Sequence, residues 1–357
     1  MERQNNRANG LDKNKVLLGL SGGVDSTAAA LLLKEEGFEV TGFYFDVIGD
    51  NEKGRVEAAQ AARQLGIELI CADVSAEFGE EVIGNFCSEY LCGRTPNPCV
   101  VCNPNVKFKK LIETADSIGA YYIATGHYCR IYRDENTGAC YISRAANEKK
   151  DQSYMLYRLG QDVTKRLIFP LGEFFDKEQT RELARNKNLQ NAEKKDSQEI
   201  CFIKNDETYA DYIKSLGYDS NPGKFIDKDG KLLGEHKGIV NYTIGQRKGL
   251  GIALGKPAFV TAIDYGKNTI TLGDNEDLFS NKVISSDNVF SFGGPEDYDG
   301  MKVMAKVRYS ARLSEAVIKV DDNIITTTFK EPQRAATPGQ SIVFYVDDHV
   351  IGGGFIE

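Results

Sequence analysis

Apolar positions fall into two textures along this chain. In the first half, short apolar runs alternate with helical ones. Lys15–Leu20 (KVLLGL) precedes TAAALLLKEEG, which closes on Gly37; Phe38–Phe45 (FEVTGFYF) precedes Val56–Gly66 (VEAAQAARQLG), and IELICADV follows. Ala120–His127 (AYYIATGH) reads as another buried strand running into a loop. Short strands separated by helices predict parallel βαβ units, whose ligands sit beyond the carboxyl ends of the strands. We expect a doubly wound, parallel-sheet α/β domain over 15–206, preceded by a polar tail at 1–14. Further on, Gly and Pro punctuate NPGKFIDKDGKLLGEHKG and GQRKGLGIALGKP, too often for helix interiors. FVTAIDY, TITLGD, KVISS, KVMAKVRYS, EAVIKV, NIITTTF and SIVFYV then recur as short β-type runs. This texture predicts a small central domain over 207–279 and a C-terminal antiparallel β-barrel over 280–357.

Composition narrows the class. The chain has 357 residues, 41% hydrophobic and 27% charged, which suits a globular protein of two or three domains. No run approaches the ~18–20 apolar residues a membrane helix needs. The charged start lacks a following apolar stretch and so does not read as a signal peptide. The expectation is a soluble, cytoplasmic protein with no membrane partner, most simply a monomer. A net charge of −8 argues against a basic coat for nucleic acid, but not against a local basic groove. Residues 94–110 carry Arg94, Lys107, Lys109 and Lys110 with no acid, and 302–312 carries Lys302, Lys306, Arg308 and Arg312 with none. All eight cysteines fall within the first 201 residues, a distribution unlike a secreted disulfide scaffold. The one CxxC, Cys99–Cys102, lacks the second pair that a structural zinc site normally has.

The sharpest motif is Ser21-Gly22-Gly23-Val24-Asp25-Ser26, between the first strand and the first helix. Two glycines permit a tight turn and close approach of a ligand. The hydroxyls of Ser21 and Ser26, with free N–H groups at the helix start, can hold phosphate oxygens. The Walker lysine is missing, so this is not a standard P-loop. Asp25 would repel phosphate unless a cation intervened, which suggests Mg²⁺.

SGGVDS resembles the PP-loop of the ATP pyrophosphatases, which split ATP into AMP and pyrophosphate while activating an oxygen. Further strings follow in order: GRTPNPCVVCNPNVKF (Gly93–Phe108), ATGHY (Ala124–Tyr128), KKDQSYMLY (Lys149–Tyr157), KKDSQEICFI (Lys194–Ile203), YTIGQRKGLGI (Tyr242–Ile252), Arg308-Tyr309 and TPGQSIVFY (Thr337–Tyr345). Together they resemble the MnmA-type tRNA-specific 2-thiouridylases over nearly the whole chain. The resemblance implies adenylation of O2 of a wobble uridine in tRNA and its replacement by sulfur, releasing AMP and pyrophosphate. It implies ATP and Mg²⁺ as cofactors, and a cysteine desulfurase or sulfur-relay protein as donor. Gly19, Leu20, Ser21, Gly22, Gly23, Val24, Asp25 and Ser26 match the ATP loop, and Phe45 and Gly126 match further nucleotide positions. Asn97, Pro98 and Cys99 match the stretch meeting the target base. Lys150, Asp151 and Gln152, with Arg308 and Tyr309, match tRNA-contacting positions. Cys102 matches the nucleophile and Cys201 the persulfide carrier.

The residues support this chemistry on their own terms. A thiolate is the nucleophile, so a working cysteine wants positive charge nearby, and Lys107, Lys109 and Lys110 follow Cys102 while Lys194 and Lys195 precede Cys201. In a cysteine pair, one sulfur carries sulfane sulfur and the other attacks the disulfide-like bond. The plainer reading of Cys201, between Ile200 and Phe202, is a buried core thiol. His127 reads as a strand-end histidine closing a hydrogen bond rather than as a base.

Three positions depart from the family pattern. Cys99 stands where many relatives have Asp, Glu199 where Gly is usual, and the segment Asp46–Arg55 is short. The first departure opens a second mechanism, in which Cys99, Cys102 and Cys201 hold a 4Fe–4S cluster with one open iron. Two other functions compete more remotely: an amidating PP-loop synthetase acting on a small acid, and a non-catalytic tRNA-binding protein.

Overall fold

The computed structural model describes residues 7, 8, 10–187, 189, 191, 200–204 and 206–357. The chain divides into two compact units, each discontinuous in sequence. One takes Met1–Glu81, Cys99–Gln198 and Asp348–Ile351; the other takes Val82–Pro98, Glu199–Asp347 and Gly352–Glu357.

In the first unit, β1 (Leu11–Gly19), α1 (Val24–Glu35), β2 (Glu39–Asp46), α2 (Glu52–Leu65) and β3 (Glu68–Asp73) follow the expected alternation. A helical stretch is built from α3 (Pro98–Cys102), a π segment (Asn103–Phe108) and α4 (Lys109–Ser117). Then come β4 (Ala120–Ala124), a hairpin of β5 (Cys129–Arg133) and β6 (Cys140–Arg144), β7 (Leu167–Ile168) and α5 (Lys177–Asn186). The sheet runs β3-β2-β1-β4-β7 in parallel, and a two-residue strand at Arg7–Ala8 pairs antiparallel with the start of β1. Leu17 and Leu18 of β1 are fully buried, as a central strand covered on both faces requires. Ala28, Ala29 and Ala30 are fully buried too, and their small side chains let α1 lie close against the sheet. From β1 the chain winds to β2 and β3 on one side, and β4 lies on the other. The gap beyond the carboxyl ends of β1 and β4 is therefore the topological switch point where such sheets bind ligands.

The π segment has a local cause. Pro104 lacks an N–H, and its ring would collide with the carbonyl of Val100 in an unbroken α-helix. Widening the turn relieves that collision, and such widened turns cluster at functional sites.

The second unit holds two sheets. The first contains β8 (Gly223–Ile226), β9 (Leu232–His236), β10 (Phe259–Asp264) and β11 (Thr269–Gly273) in the order β9-β8-β11-β10, over a core that includes Phe225, Val260 and Ile270. The second contains β12 (Phe279–Phe290), β13 (Lys302–Lys306), β14 (Ser314–Asp321), β15 (Ile324–Arg334), β16 (Ser341–Val346) and β17 (His349–Ile356). Its order β12-β15-β14-β13-β16-β17 closes on itself through β12–β17 pairing, with Ser285 opposite Ile356 and Phe290 opposite Gly352. This is a closed six-stranded antiparallel barrel, the architecture that the C-terminal strand runs predict.

Candidate active site

At the switch point lies a cavity of about 280 Å³, lined by Gly19, Leu20, Ser21, Asp25, Ser26, Tyr44, Phe45, Lys107, Thr125, Gly126, His127 and Gln152. The SGGVDS turn forms one wall. Gly22 has φ +72°, and a Cβ there would lie 2.7 Å from the Glu57 backbone, so both conformation and space demand glycine. A Cβ on Gly126 would fall 2.8 Å from the Ser26 nitrogen, so its absence lets the loop after β4 seat against the turn.

Gly23 caps α1 in extended conformation with no side-chain hydrogen bond to the first turn. The bare N-terminus of this helix presents the positive end of its dipole, the kind of element that attracts anions. The two hydroxyls expected to meet phosphate are already engaged within the turn. Ser26 Oγ donates to the Gly23 carbonyl (3.1 Å) and accepts from the Ser21 N–H (3.2 Å), and Gly23 N–H donates to Ser21 Oγ (3.3 Å). Their first role is to shape the loop. Asn191, not anticipated from sequence, holds it from outside: its Nδ2 donates to the Gly22 carbonyl (3.0 Å) and to Thr27 Oγ1 (2.7 Å).

Asp25 has its cation. Lys177 Nζ lies 2.6 Å from one carboxylate oxygen, and the Tyr128 hydroxyl donates to the other at 2.8 Å. Tyr128 also meets Thr180 Oγ1 at 2.9 Å. Sequence gave no pointer to Lys177, because 152 residues separate it from Asp25. Asp25 is the only carboxylate among the cavity's described lining residues. A Mg²⁺ arriving with ATP would rest mainly on phosphate oxygens and water, its usual habit.

His127 sits at the cavity edge with Nδ1 2.8 Å from Thr125 Oγ1, the hydrogen-bonding role read from its strand-end position. Burial and the nearby Lys107 cation push its pKa down to about 3, so it is neutral at physiological pH. In the unfolded chain the same ring takes a proton near pH 6.5. Stability should therefore fall as pH drops from about 6.5 toward 3, by at most ~1.4 kcal/mol per pH unit from this group. Chemical denaturation across that range should show the slope, and His127→Gln should flatten it. An unchanged acid limb in the variant would refute the assignment.

Cys102 closes α3, and Cys99 lies one turn before it. Cys99 is exposed and Cys102 partly so, and all eight cysteines are free thiols. Burial raises the Cys102 pKa above the ordinary thiol value. Lys107 opposes that shift, both through its charge and through its backbone N–H, while Cys99 adds to it. The expectation that three following lysines would bias Cys102 toward thiolate is corrected here: Lys109 is exposed, and Lys110 pairs with Glu113 at 3.5 Å. Only Lys107 acts on the sulfur, and desolvation outweighs it.

Among the expected tRNA positions of this unit, Asp151 is 3% exposed. Its carboxylate accepts from the Ala145 and Ser153 N–H groups and from the Ser153 hydroxyl. Lys150 lies beside it, and Gln152 turns into the cavity, where its Oε1 accepts the Tyr128 N–H at 3.0 Å.

In the second unit, Cys201 is exposed, which overturns the core-thiol reading. Ile200 is half-buried and Phe202 buried, and Phe202 packs edge-on against Phe86 at 5.3 Å and tilted against Tyr212 at 5.2 Å. This aromatic anchor should hold the Cys201 turn. Phe202→Ala should cost about 3 kcal/mol in a denaturant titration, and a loss below 1 kcal/mol would contradict the packing. Lys194, Lys195 and Glu199 lie outside the described residues. Asn97 is half-buried and Pro98 buried. Arg308 and Tyr309 follow β13, both half-buried, and Arg308 Nε is buried with no hydrogen-bond partner among the described residues. Of the basic stretch 302–312, Lys302 and Arg312 are exposed, whereas Lys306 is buried. Arg94 is not a free cation either: it pairs with Glu89 and Glu357, both at 2.8 Å.

Comparison with known proteins gives consistent matches along the chain. Residues 14–205 match a family described as tRNA methyl transferase HUP domain, 210–274 a tRNA methyl transferase PRC-barrel domain, and 282–356 an aminomethyltransferase beta-barrel domain. The tRNA-specific 2-thiouridylase MnmA of Clostridium acetobutylicum is 45% identical over 96% of this chain and 99% of its own length. MnmA 2 of Clostridium botulinum is 46% identical over 97% and 99%. MnmA 1 of Caldanaerobacter subterraneus is 46% identical over 96% and 98%.

Proposed function

The chain belongs to the tRNA-specific 2-thiouridylase family, and we propose that it replaces O2 of a tRNA wobble uridine with sulfur at the expense of ATP. The observation that carries this reading is the cavity at the β1/β4 switch point, walled by SGGVDS and the uncapped start of α1. MgATP enters it as substrate, with its phosphates at Gly19–Ser26 and Gly126 and its nucleoside toward Phe45. The uracil O2 attacks the α-phosphorus and pyrophosphate leaves, so the oxygen departs later as part of AMP.

In the same proposal Asn97, Pro98 and Cys99 meet the target base, and Lys150, Asp151, Gln152, Arg308 and Tyr309 serve tRNA binding. Asp151 does so by holding the loop that presents its neighbours. Cys201, exposed on its aromatic anchor, carries the persulfide handed over by a cysteine desulfurase or relay protein. Cys102 attacks the sulfur–sulfur bond, so that sulfide sulfur goes to C2 and a Cys102–Cys201 disulfide remains, which an added dithiol reopens. Cys99 then stands in for the Asp of relatives. The cluster alternative needs Cys99, Cys102 and Cys201 together as ligands, whereas the persulfide route needs only two cysteines, and we favour the latter.

The test is nucleoside analysis of an unmodified tRNA transcript incubated with the protein, MgATP, a persulfide donor and a dithiol. 2-Thiouridine should form at the wobble position only when ATP is present. Its absence under all conditions, or its formation without ATP, would overturn the reading. Iron and acid-labile sulfide on anaerobically purified protein separate the two sulfur routes: stoichiometric cluster lost in Cys99→Ala would favour cluster-bound sulfide.

A further inference from the structure

Lys107 stands apart from the other cations around the site. Lys177 is bound to Asp25, Lys110 to Glu113 and Arg94 to two glutamates. Lys107 is half-buried, lines the nucleotide cavity, and among the described residues its ammonium meets no carboxylate. An uncompensated cation in a partly desolvated phosphate-binding cavity is strongly attracted to an anion. The π segment gives this residue a second neighbour. By widening the turn after Cys102, it brings the Lys107 N–H to the cysteine sulfur, and the side-chain charge acts on the same sulfur.

We infer that Lys107 is a cation shared between the nucleotide's phosphates and the Cys102 sulfur, and that it keeps Cys102 unreactive until pyrophosphate has left. The inference rests on the proposed ATP site and adds an order of events to it. While the triphosphate is bound, its negative charge compensates Lys107, and Cys102 stays a buried neutral thiol. After adenylation and release of pyrophosphate, the charge of Lys107 is free to favour the thiolate, which is when sulfur release is useful. A thiolate formed earlier would discharge the persulfide as free sulfide with no activated uridine to receive it. The charged or titratable groups bearing on this arrangement are Cys99 beside Cys102, His127 beside Lys107, and Asp25 with Lys177 and Tyr44 around the cavity. His127 is neutral, and Asp25 is compensated by Lys177, so Lys107 is the charge that ligand binding changes.

The experiment reads the pH dependence of Cys102 alkylation by iodoacetamide, followed by peptide mass spectrometry so that other cysteines do not contribute. Profiles are taken for the full chain alone, with a non-hydrolysable ATP analogue, with pyrophosphate and with adenosine. The midpoint is the diagnostic quantity, since steric shielding lowers the rate without moving it. In the wild type the analogue and pyrophosphate should raise the midpoint by about one pH unit, a tenfold change in thiolate fraction, and adenosine should not. Lys107→Met should show the raised midpoint without ligand and no further response, and Lys107→Arg should keep the response. A Lys107→Met midpoint equal to that of the wild type would overturn the inference. So would a wild-type midpoint unmoved by an analogue that calorimetry shows to be bound. An analogue that does not bind the wild type at all would overturn the ATP-site reading along with it.

Discussion

Cys102→Ser should lower 2-thiouridine formation by at least ~10³-fold while MgATP binding stays within about twofold of wild type. The first part follows from chemistry. A serine hydroxyl cannot attack a persulfide at neutral pH, and removing a nucleophile costs orders of magnitude that binding interactions do not replace. The second follows from placement: Cys102 is not among the residues lining the cavity proposed to take ATP. The wild type should also show a distinctive pH profile. Burial holds the Cys102 thiol above its ordinary range, so its thiolate fraction is small near neutrality and grows with pH. With persulfide supplied and ATP saturating, single-turnover thiolation should rise through pH 8 and 9. A profile already flat at pH 7 would mean that another group carries the step.

Gly126→Ala should raise the KM for ATP by about 100-fold and leave the fold intact. The Cβ would come 2.8 Å from the Ser26 nitrogen and 2.9 Å from the Asp25 carbonyl carbon, so the loop after β4 and the phosphate turn would have to separate. A displacement of about 1 Å in such a site costs on the order of 10²-fold. Circular dichroism should be unchanged, because the contact joins the first turn of α1 to the loop after β4 and removes neither a helix nor a strand. Gly119→Ala is the control: nothing lies within 4 Å of its Cβ, so any loss there comes from its φ of +72° and falls on stability. Equal KM effects from the two variants would show that the close approach at Gly126 is not what builds the site.

Local pattern carried most of the architecture. Strand–helix alternation in the first half, Gly–Pro punctuation and then evenly spaced β runs are legible because each reports burial within its own element. The SGGVDS turn was legible for the same reason, since its glycines answer to a local conformation. Interactions joined by tertiary contact were not legible. Lys177 reaches Asp25, and Asn191 reaches Gly22 and Thr27, across long stretches of chain. Charge was the weakest guide. The stretch 94–110 contains no acid, yet Arg94 draws Glu89 from upstream and Glu357 from the chain's end. Three lysines after Cys102 looked equivalent, and the π segment singles out Lys107. Pro104 was the available signal for that segment, because a proline in mid-helix has to be accommodated somehow. The apolar neighbours of Cys201 taken alone point to burial, yet it is Phe202 that is buried, and the cysteine beside it is presented outward.

The central claim is that uracil O2 becomes part of the leaving AMP. It is tested most directly with a tRNA carrying ¹⁸O at O2 of the wobble uridine, incubated with the protein, ATP, a persulfide donor and a dithiol. Mass spectrometry of the released nucleotide should find one ¹⁸O in AMP for each 2-thiouridine formed, and none in pyrophosphate. Thiolation accompanied by unlabelled AMP, with the ¹⁸O recovered in water or in inorganic phosphate, would contradict it.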